Sequence, residues 1–342
     1  MFNQKIKRVG WACKYMHANR SLSKSDLKII ESQYNGTSTT RAWLNRQTEQ
    51  VALDKIAECI DINLTGYESL VKYVSTLDPG RRMLRLGSDL LPFFTEKKWG
   101  KMYYDQSALN YIEKRLSALG TLARANDVKL SMHPGQFTVL ASDRPDVALA
   151  SIEEVEYHTM VATMMGFGKE FQDFKINVHI SGKLGPAGIK SALQLLSPEA
   201  RNMLTIENEE MKWGLNDTLE LADDLALVID VHHCWINEHE YLQPNDDRVK
   251  RVIDSWRGVR PTMHYSLSRE DILVDHVTDI MPDMTELLDE GYKRGKLRAH
   301  SDLMWNTAAN EYVSQFWGDF DIMVEAKHKN LASGLLYDQF TA

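Results

Sequence analysis

The chain has 342 residues, of which 43% are hydrophobic and 26% are charged, an ordinary balance for a soluble globular protein. This length fills either one large α/β barrel or two smaller domains. No apolar stretch approaches the roughly 20 residues that span a bilayer, and the charged N-terminal residues lack the apolar segment of a signal peptide, so we expect no membrane partner. Three scattered cysteines argue against a disulfide framework and favour a reducing cytoplasm.

The net charge of −8 argues mildly against a nucleic-acid partner, because proteins that bind nucleic acids usually carry a basic face. Two considerations weaken this argument. Carboxylates that bind metal ions contribute to the negative charge but are neutralised by those ions. A basic rim can also occupy one face of an acidic protein. The charge therefore does not decide the question.

Short apolar strands alternate with amphipathic helices along the chain. The predicted strands cover residues 7–13, 83–87, 128–133, 175–180, 203–207, 227–230, 261–266 and 321–325. The predicted helices cover residues 51–74, 108–125, 147–165, 187–196, 215–227, 247–256 and 281–292, followed by a short C-terminal helix. Eight strands that alternate with helices are typical of an α/β fold of the (β/α)8 TIM-barrel type, and we expect residues 1–342 to form one domain.

One stretch interrupts this alternation. Residues 17 to about 50 are polar, and Asn35–Thr40 carry a strong loop signal. A loop of this length in a compact domain is either functional or partly mobile. The competing architecture is a doubly wound open sheet, but no glycine-rich phosphate loop follows any predicted strand, which favours the barrel.

Histidine and carboxylate side chains recur where the predicted strands end. They are His133, His179, Glu207, Asp230 with His233 three residues later, His264 and Glu325, and His300 lies in a following loop. In a barrel of this type the carboxyl ends of the strands meet at one mouth. We therefore expect these eight side chains to converge.

Such a cluster is unfavourable without cations, because buried carboxylates repel one another and buried polar groups need partners. Imidazole and carboxylate groups are ordinary ligands of divalent cations. Eight ligands are too many for one ion and suit two or three ions that share a bridging carboxylate. The three carboxylates, Glu207, Asp230 and Glu325, are the predicted catalytic residues.

Each of these residues also has a purely structural interpretation. A single strand-end histidine is more often a hydrogen-bonded structural residue, and a strand-end carboxylate often caps the next helix. We assign neither His232 nor His276 to metal, although His276 is the replacement if His300 is not a ligand. The metal interpretation depends on the recurrence of polar residues at the same position in strand after strand.

The same residues carry a resemblance to the UV damage endonuclease family, which is related to the endonuclease IV nucleases. The resemblance extends from Arg8 to about Lys329. Its motifs are Arg8-Val9-Gly10, Asn63-Leu64, Arg85-Leu86-Gly87, Ser131-Met132-His133-Pro134-Gly135-Gln136, Ile206-Glu207-Asn208-Glu209, Asp230-Val231-His232-His233 and Val324-Glu325-Ala326-Lys327. Each short motif is weak, but their order and spacing together are specific.

The resemblance implies a barrel with a three-ion site, usually manganese, that incises DNA just 5′ of a photoproduct. By position, His133 and His179 would hold the first ion and share Glu207 with the second. Asp230, His264 and Glu325 would complete the second site, while His233 and His300 would hold the third ion. Gln136 and Phe137 match a Gln-Tyr pair that such enzymes insert into the duplex, and Trp11 matches a tyrosine near the damaged bases.

Some positions depart from the family pattern. Phe137 and Trp11 keep an aromatic ring, but Phe137 lacks the hydroxyl group, and Thr262 stands where family members commonly carry a lysine. These departures bear on lesion preference and rate more than on the type of reaction. Among the loop cations, we predict phosphate contacts only for Lys183 and Lys327, which closely follow ligand-bearing strands.

The leading hypothesis is a metal-dependent DNA repair endonuclease that acts on UV photoproducts, and also at apurinic sites, in damaged double-stranded DNA. We expect a monomer, because nothing in the sequence requires an oligomer. A second hypothesis is a metal-dependent sugar isomerase, which uses a similar barrel with His, Glu and Asp ligands. A third is a DNA-binding relative without activity, for which Thr262 is the only support. Eight ligands and a His-Pro-Gly-Gln-aromatic turn favour the first hypothesis.

Overall fold

The structure, a computed structural model, describes residues 2–342 of the chain. Its strands are β1 (Val9–Ala12), β2 (Met83–Leu86), β3 (Lys129–Met132), β4 (Lys175–His179), β5 (Leu204–Glu207), β6 (Ala226–Val228), β7 (Thr262–Tyr265) and β8 (Asp321–Val324). They form a parallel sheet in the order β6-β5-β4-β3-β2-β1-β8-β7. A parallel bridge between Asp230 and His264 joins the two ends of this order and closes the barrel. The predicted TIM barrel is confirmed.

Helices surround the barrel. They are α1 (Lys24–Glu31), α2 (Arg41–Leu44), α3 (Glu49–Ser75), α4 (Gln106–Ala125), α5 (Pro145–Met164), α6 (Gly185–Leu193), α7 (Pro198–Met203), α8 (Leu215–Thr218), α9 (Val231–Glu238), α10 (Asp247–Ser255), α11 (Met284–Asp289), α12 (Arg294–Leu297), α13 (Thr307–Ser314) and α14 (Lys329–Thr341). Among residues 2–342, no helix is both long and apolar enough to cross a membrane.

Two predicted segments differ from the structure. The helix expected over residues 215–227 consists of the four-residue α8 and one 3-10 turn that ends at Leu221, because the chain must turn to enter β6. The polar segment predicted as a loop contains α1 and α2. Their N-termini are capped by the hydroxyl groups of Ser23 and Thr40, which accept hydrogen bonds from backbone N–H groups.

Asparagine side chains fix the segment 13–48, which we call the β1–α3 insert. Asn35 bonds to both the N–H and the C=O of Tyr15, and Asn330 of α14 bonds to both backbone groups of Met16. Asn63 of α3, which is fully buried, accepts from the N–H of Thr37. Each of these amides replaces a backbone partner, so the insert is ordered without belonging to the sheet.

The alternation of side chains along each strand separates two interiors. In β4, Ile176 and Val178 pack in apolar clusters between the strands and the helices. Lys175, Asn177 and His179 occupy the intervening positions, which point to the opposite face of the strand. The barrel lumen therefore carries polar side chains, while the apolar core lies outside the strands.

The amino-terminal end of the lumen is closed by an ion network, which we call the floor. The buried Asp321 carboxylate accepts from Lys129 Nζ at 2.8 Å, from Arg260 Nε at 2.9 Å and from the N–H of Arg8 at 2.9 Å. The Lys129 ammonium also lies 3.4 Å from Thr262 Oγ1. Threonine at position 262 is therefore a partner of the floor.

Candidate metal centre

Two histidines and one glutamate meet at the mouth of the barrel. His133 follows β3 and His179 ends β4, and their Nε2 atoms lie 3.3 Å apart. Glu207 Oε2 lies 3.5 Å from His133 Nε2 and 3.4 Å from His179 Nε2. The Nδ1 atom of His133 bonds to the carbonyl of Pro134 at 2.8 Å, which leaves Nε2 free to act as a ligand.

An asparagine outside the predicted set of site residues orients Glu207. Asn177, fully buried on β4, donates from Nδ2 to Glu207 Oε2, while its Oδ1 accepts from the Thr205 hydroxyl at 2.7 Å. This chain of hydrogen bonds fixes the plane of the carboxylate. The other oxygen, Oε1, faces His264 and His233.

Asp230 caps α9 with one oxygen and leaves the other free. Its Oδ1 atom accepts from the N–H groups of His232 and His233 at 2.8 and 2.9 Å. Its Oδ2 atom is buried and has no hydrogen-bond partner among the described residues. A buried carboxylate oxygen without a partner is costly, so this atom fits a bound cation. His233 Nδ1 bonds to the carbonyl of Asn208, and its Nε2 lies 3.8 Å from Asp230 Oδ2.

His264 and Glu325 complete the opposite side. His264 Nδ1 lies 3.0 Å from Glu207 Oε1 and 3.3 Å from Glu325 Oε1. The Arg85 guanidinium of β2 donates to the same oxygen of Glu325. This pairing orients Glu325 and offsets part of the negative charge of the three carboxylates.

Seven of the eight predicted ligands form three overlapping groups that could each hold an ion. In each group the ligand atoms lie within 4.8 Å of one another: His133, His179 and Glu207; Glu207, Asp230 and His233; and Asp230, His264 and Glu325. Glu207 and Asp230 belong to two groups each, as bridging carboxylates would. His300 lies beside them, with Nδ1 3.9 Å from Glu325 Oε2, whereas His276 belongs to none of these groups, is half-buried and bonds to the Ile280 carbonyl.

The charges and the burial inside this cluster shift the pKa values of its members in different directions. Burial disfavours the charged form of Glu207, but His264 and His179 outweigh it and hold the pKa of Glu207 well below its ordinary value. Burial, together with Glu207 and Glu325, raises the pKa of Asp230 to about 7. Burial alone would lower the pKa of His233, but the carboxylates of Asp230, Glu207 and Glu210 raise it to about 9. A cation that binds Asp230 and His233 must therefore displace protons.

A lysine lies beside the ligands although position 262 is threonine. Lys175, at the start of β4 and 3% exposed, places Nζ 2.8 Å from His264 Nε2. Burial lowers the pKa of Lys175 to about 7. A sequence signal for Lys175 exists, since Lys175, Asn177 and His179 have the two-residue spacing of one strand face, but Lys175 lies at the start of β4 and not at a strand end.

A cleft of about 270 Å³ adjoins the His133–His179 side of the cluster. Its walls include the turn Pro134–Phe137, with Glu209, Glu210 and Arg298 opposite. Gln136 is exposed, and Phe137 is 86% exposed, which is unusual for a large apolar side chain. Glu210 is buried and pairs with Arg298 at 2.6 Å.

The remaining predicted DNA-contact residues differ in their exposure and in their partners. The expectation for Trp11 is wrong, because its ring is 1% exposed within the apolar core and its Nε1 donates to the carbonyl of Lys14, so it presents no face to a base. Lys183 is exposed and pairs with Asp143 at 3.0 Å. Lys327 lies 3.4 Å from Asp302.

The chain is similar to known proteins over most of its length. A family model described as UV-endonuclease UvdE matches residues 7–340. A UV-damage endonuclease of Schizosaccharomyces pombe is 28% identical over 268 residues, which are 74% of this chain and 39% of that protein's own length. A UV DNA damage endonuclease of Bacillus velezensis is 23% identical over 301 residues, 84% of this chain and 83% of that protein.

Among solved structures, the crystal structure of SacUVDE superimposes with a TM-score of 0.69 at 21% identity, over 97% of this chain and 98% of that one. This likeness supports the barrel fold over its whole length. The family model covers nearly the entire chain, and the protein belongs to the UV-endonuclease UvdE family.

Proposed function

We propose that the protein is a metal-dependent endonuclease that nicks the DNA backbone 5′ of UV photoproducts and also at apurinic sites. The observation that carries the proposal is the set of three overlapping ligand groups linked by Glu207 and Asp230. Ions a few ångströms apart at one cleft suit phosphodiester hydrolysis, since both the attacking and the leaving oxygen need stabilisation. Family membership supports DNA as the substrate.

Two or three divalent ions, with Mn²⁺ proposed, would be held by the three groups. His133, His179 and Glu207 would form one site, and Asp230, His264 and Glu325 another. His233 would bind an ion between these two sites, together with Glu207 and Asp230. His300, whose Nδ1 lies 3.9 Å from Glu325 Oε2, would be a further ligand beside Glu325. When bound, such ions lower the pKa of a coordinated water and neutralise charge on phosphoryl oxygens.

The chain's own side chains orient this machinery. Asn177 and Arg85 fix the carboxylates of Glu207 and Glu325, so that both keep one geometry through the reaction. The two N–H groups at the start of α9 hold Asp230 Oδ1 and keep Oδ2 directed toward the cluster. In this proposal the three carboxylates are the catalytic residues.

Damage recognition is proposed for the exposed turn beside the cleft. Two adjacent damaged bases are too bulky for processing inside the stack, so we expect them to leave it. Gln136 would then bond to the orphaned base edges, and the Phe137 ring would fill the vacancy by stacking. Lys183 and Lys327 would exchange their carboxylate partners for phosphates.

The test is nicking of supercoiled plasmid, irradiated or untreated, with Mn²⁺ or with chelator. We expect Mn²⁺-dependent nicking of irradiated plasmid only, and a loss of about 10³-fold or more in Glu207→Gln, which removes a charge shared by two ligand groups. Equal nicking of both plasmids would leave a nuclease without lesion specificity. Absence of nicking by metal-loaded wild-type protein would overturn the proposal and direct the search to sugar substrates.

A further inference from the structure

A basic groove lies in the β1–α3 insert, outside the metal centre. It has a volume of about 560 Å³. Its walls are Lys14 and Arg20, one face of α1 (Lys24, Leu27, Lys28 and Glu31), Ser32 and Asn35–Thr37 after that helix, and Ile62 of α3. Four cations and one carboxylate line it, in a protein whose net charge is −8. Positive charge is therefore concentrated here against the overall sign.

Three of these cations have no ionic partner. Glu31, the only carboxylate of the groove wall, pairs with Arg20 and also accepts from the N–H of His17. Among residues 2–342, Lys14, Lys24 and Lys28 have no carboxylate oxygen within 4.0 Å, in contrast to Lys183 and Lys327. All three are exposed. Unpaired ammonium groups that share one groove favour an anion with several charges.

The groove begins at the mouth of the barrel. Lys14 lies two residues beyond the end of β1, and β1 pairs in register with β8, which leads directly to Glu325. The N–H of Cys13 donates to the carbonyl of Arg85, whose side chain holds Glu325. A polyanion that occupies both the cleft and the groove would thus remain on one face of the protein.

The groove is also preformed. Asn63, fully buried, accepts from Thr37 on the groove wall and donates to the carbonyls of Asp89 and Leu90 in the loop after β2. The Asn35–Tyr15 bonds fix the opposite end of the insert. Binding therefore requires little ordering of the backbone, which leaves more of the interaction energy for affinity.

We propose that this groove binds the phosphate backbone of duplex DNA beside the incision site, through Lys14, Lys24 and Lys28 with Arg20. The proposal rests on the proposed function for the identity of the duplex. It adds that the insert is a DNA-binding element that acts irrespective of damage. The regular spacing of duplex phosphates matches several unpaired cations better than a single free phosphate does.

The experiment measures binding of an undamaged labelled duplex by fluorescence anisotropy, with chelator and without metal, so that no cleavage takes place. The variant Lys14→Gln, Lys24→Gln, Lys28→Gln is compared with wild type and with a control, Lys5→Gln, Lys114→Gln, Lys169→Gln, that removes three exposed lysines away from the groove. Between about 50 and about 200 mM salt, we expect the slope of log affinity against log salt to become shallower by about 2 to 3 in the groove variant only. At the lower salt its affinity should fall by roughly tenfold or more.

Equal slopes for the groove and control variants would overturn the proposal. A second result would also overturn it: tripolyphosphate binding that requires the three lysines, together with duplex binding that does not. The groove would then be a site for small phosphate compounds. Nicking assays separate the two proposals. If wild type binds through the groove but fails to nick irradiated DNA, the groove stands and the endonuclease proposal fails. If nicking persists with KM and salt slope unchanged in the groove variant, only the groove proposal fails.

Discussion

Both ends of the barrel lumen contain buried carboxylates, but these differ in whether cationic and hydrogen-bonding partners satisfy them. At the floor, Asp321 has a full set of donors, from Lys129, Arg260 and a backbone N–H. At the mouth, Asp230 has a buried oxygen without a partner, and three carboxylates crowd together with histidines. At the floor the Asp321 carboxylate is satisfied by its donors, and this network stabilises the fold. The mouth leaves ligand atoms available for cations, which fits the proposed metal site.

The sharpest test of this contrast makes the same substitution at both ends. Asp321→Asn should lower the free energy of unfolding by about 3 to 5 kcal/mol, because Lys129 and Arg260 lose the charge that compensates them. Asp230→Asn should change the stability of the metal-free protein little, because the amide oxygen can still cap α9 and a charge near two other carboxylates is removed. Urea unfolding and Mn²⁺ titration of both variants provide the measurements.

Mn²⁺ affinity should show the reverse order: the variant with the smaller loss of stability should have the larger loss of affinity. Asp321→Asn should retain wild-type Mn²⁺ affinity if it is studied below its denaturation midpoint. Asp230→Asn should lose most of it, since Asp230 belongs to two ligand groups. Comparable losses of stability in both variants would show that the mouth is also a structural network, and the contrast would not hold.

A second test uses pH, because only the mouth must release protons to bind cations. With the pKa of Asp230 near 7 and that of His233 near 9, Mn²⁺ binding should displace one proton from each of these groups below pH 7 and one from His233 between pH 7 and 9. These two groups should make the apparent affinity rise by about 100-fold per pH unit below 7 and by about tenfold per unit between 7 and 9, and His179, whose pKa is also raised, adds to the slope at low pH. Isothermal titration in buffers of different ionisation enthalpy would count the protons.

The same pKa shifts set the stability of the metal-free protein. A histidine whose pKa is raised by folding stabilises the fold below its unfolded pKa, and this contribution is lost as pH rises toward 9. The midpoint temperature with chelator should therefore fall from about pH 6.5 to about pH 9, while the increment caused by Mn²⁺ grows. An increment that shrinks with rising pH would contradict the assignment of His233.

A third test removes an orienting group without removing a ligand. Asn177→Leu deletes the donor to Glu207 and removes the nearer acceptor of the Thr205 hydroxyl, at 2.7 Å. Outer partners of metal ligands typically contribute 10- to 100-fold, so we expect a loss of about that size in Mn²⁺ affinity. Asn63→Leu, which removes a buried asparagine that contacts none of the candidate ligands, is the control and should leave Mn²⁺ affinity unchanged.

The smallest expected effect concerns the lysine beside His264. Lys175→Met keeps the length of the side chain but removes the nitrogen 2.8 Å from His264 Nε2, which should weaken Mn²⁺ binding by about tenfold. Stability should be unchanged or higher, because a buried amine is replaced by an apolar group. Wild-type Mn²⁺ affinity in this variant would show that Lys175 only fills space between the mouth and the floor.

The sequence alone determined the barrel and the position of most of its candidate ligands. Alternating strands and helices have distinct hydrophobic periods, and parallel strands of a barrel bring their carboxyl ends together. Residues such as His133, Glu207 and Glu325 could therefore be placed at one mouth from the sequence alone. These inferences depend only on local periodicity and on one rule of topology.

Tertiary structure alone decided which polar groups complete those ligands. Lys175 meets His264, Arg85 meets Glu325 and Asn63 meets Thr37 across long separations in the chain, and no local pattern specifies such pairs. It also decided that Trp11 is buried and that the polar stretch after β1 folds into helices around a basic groove. The physical reason is that burial and hydrogen-bond partners are set by packing between elements, whereas the sequence displays periodicity within each element.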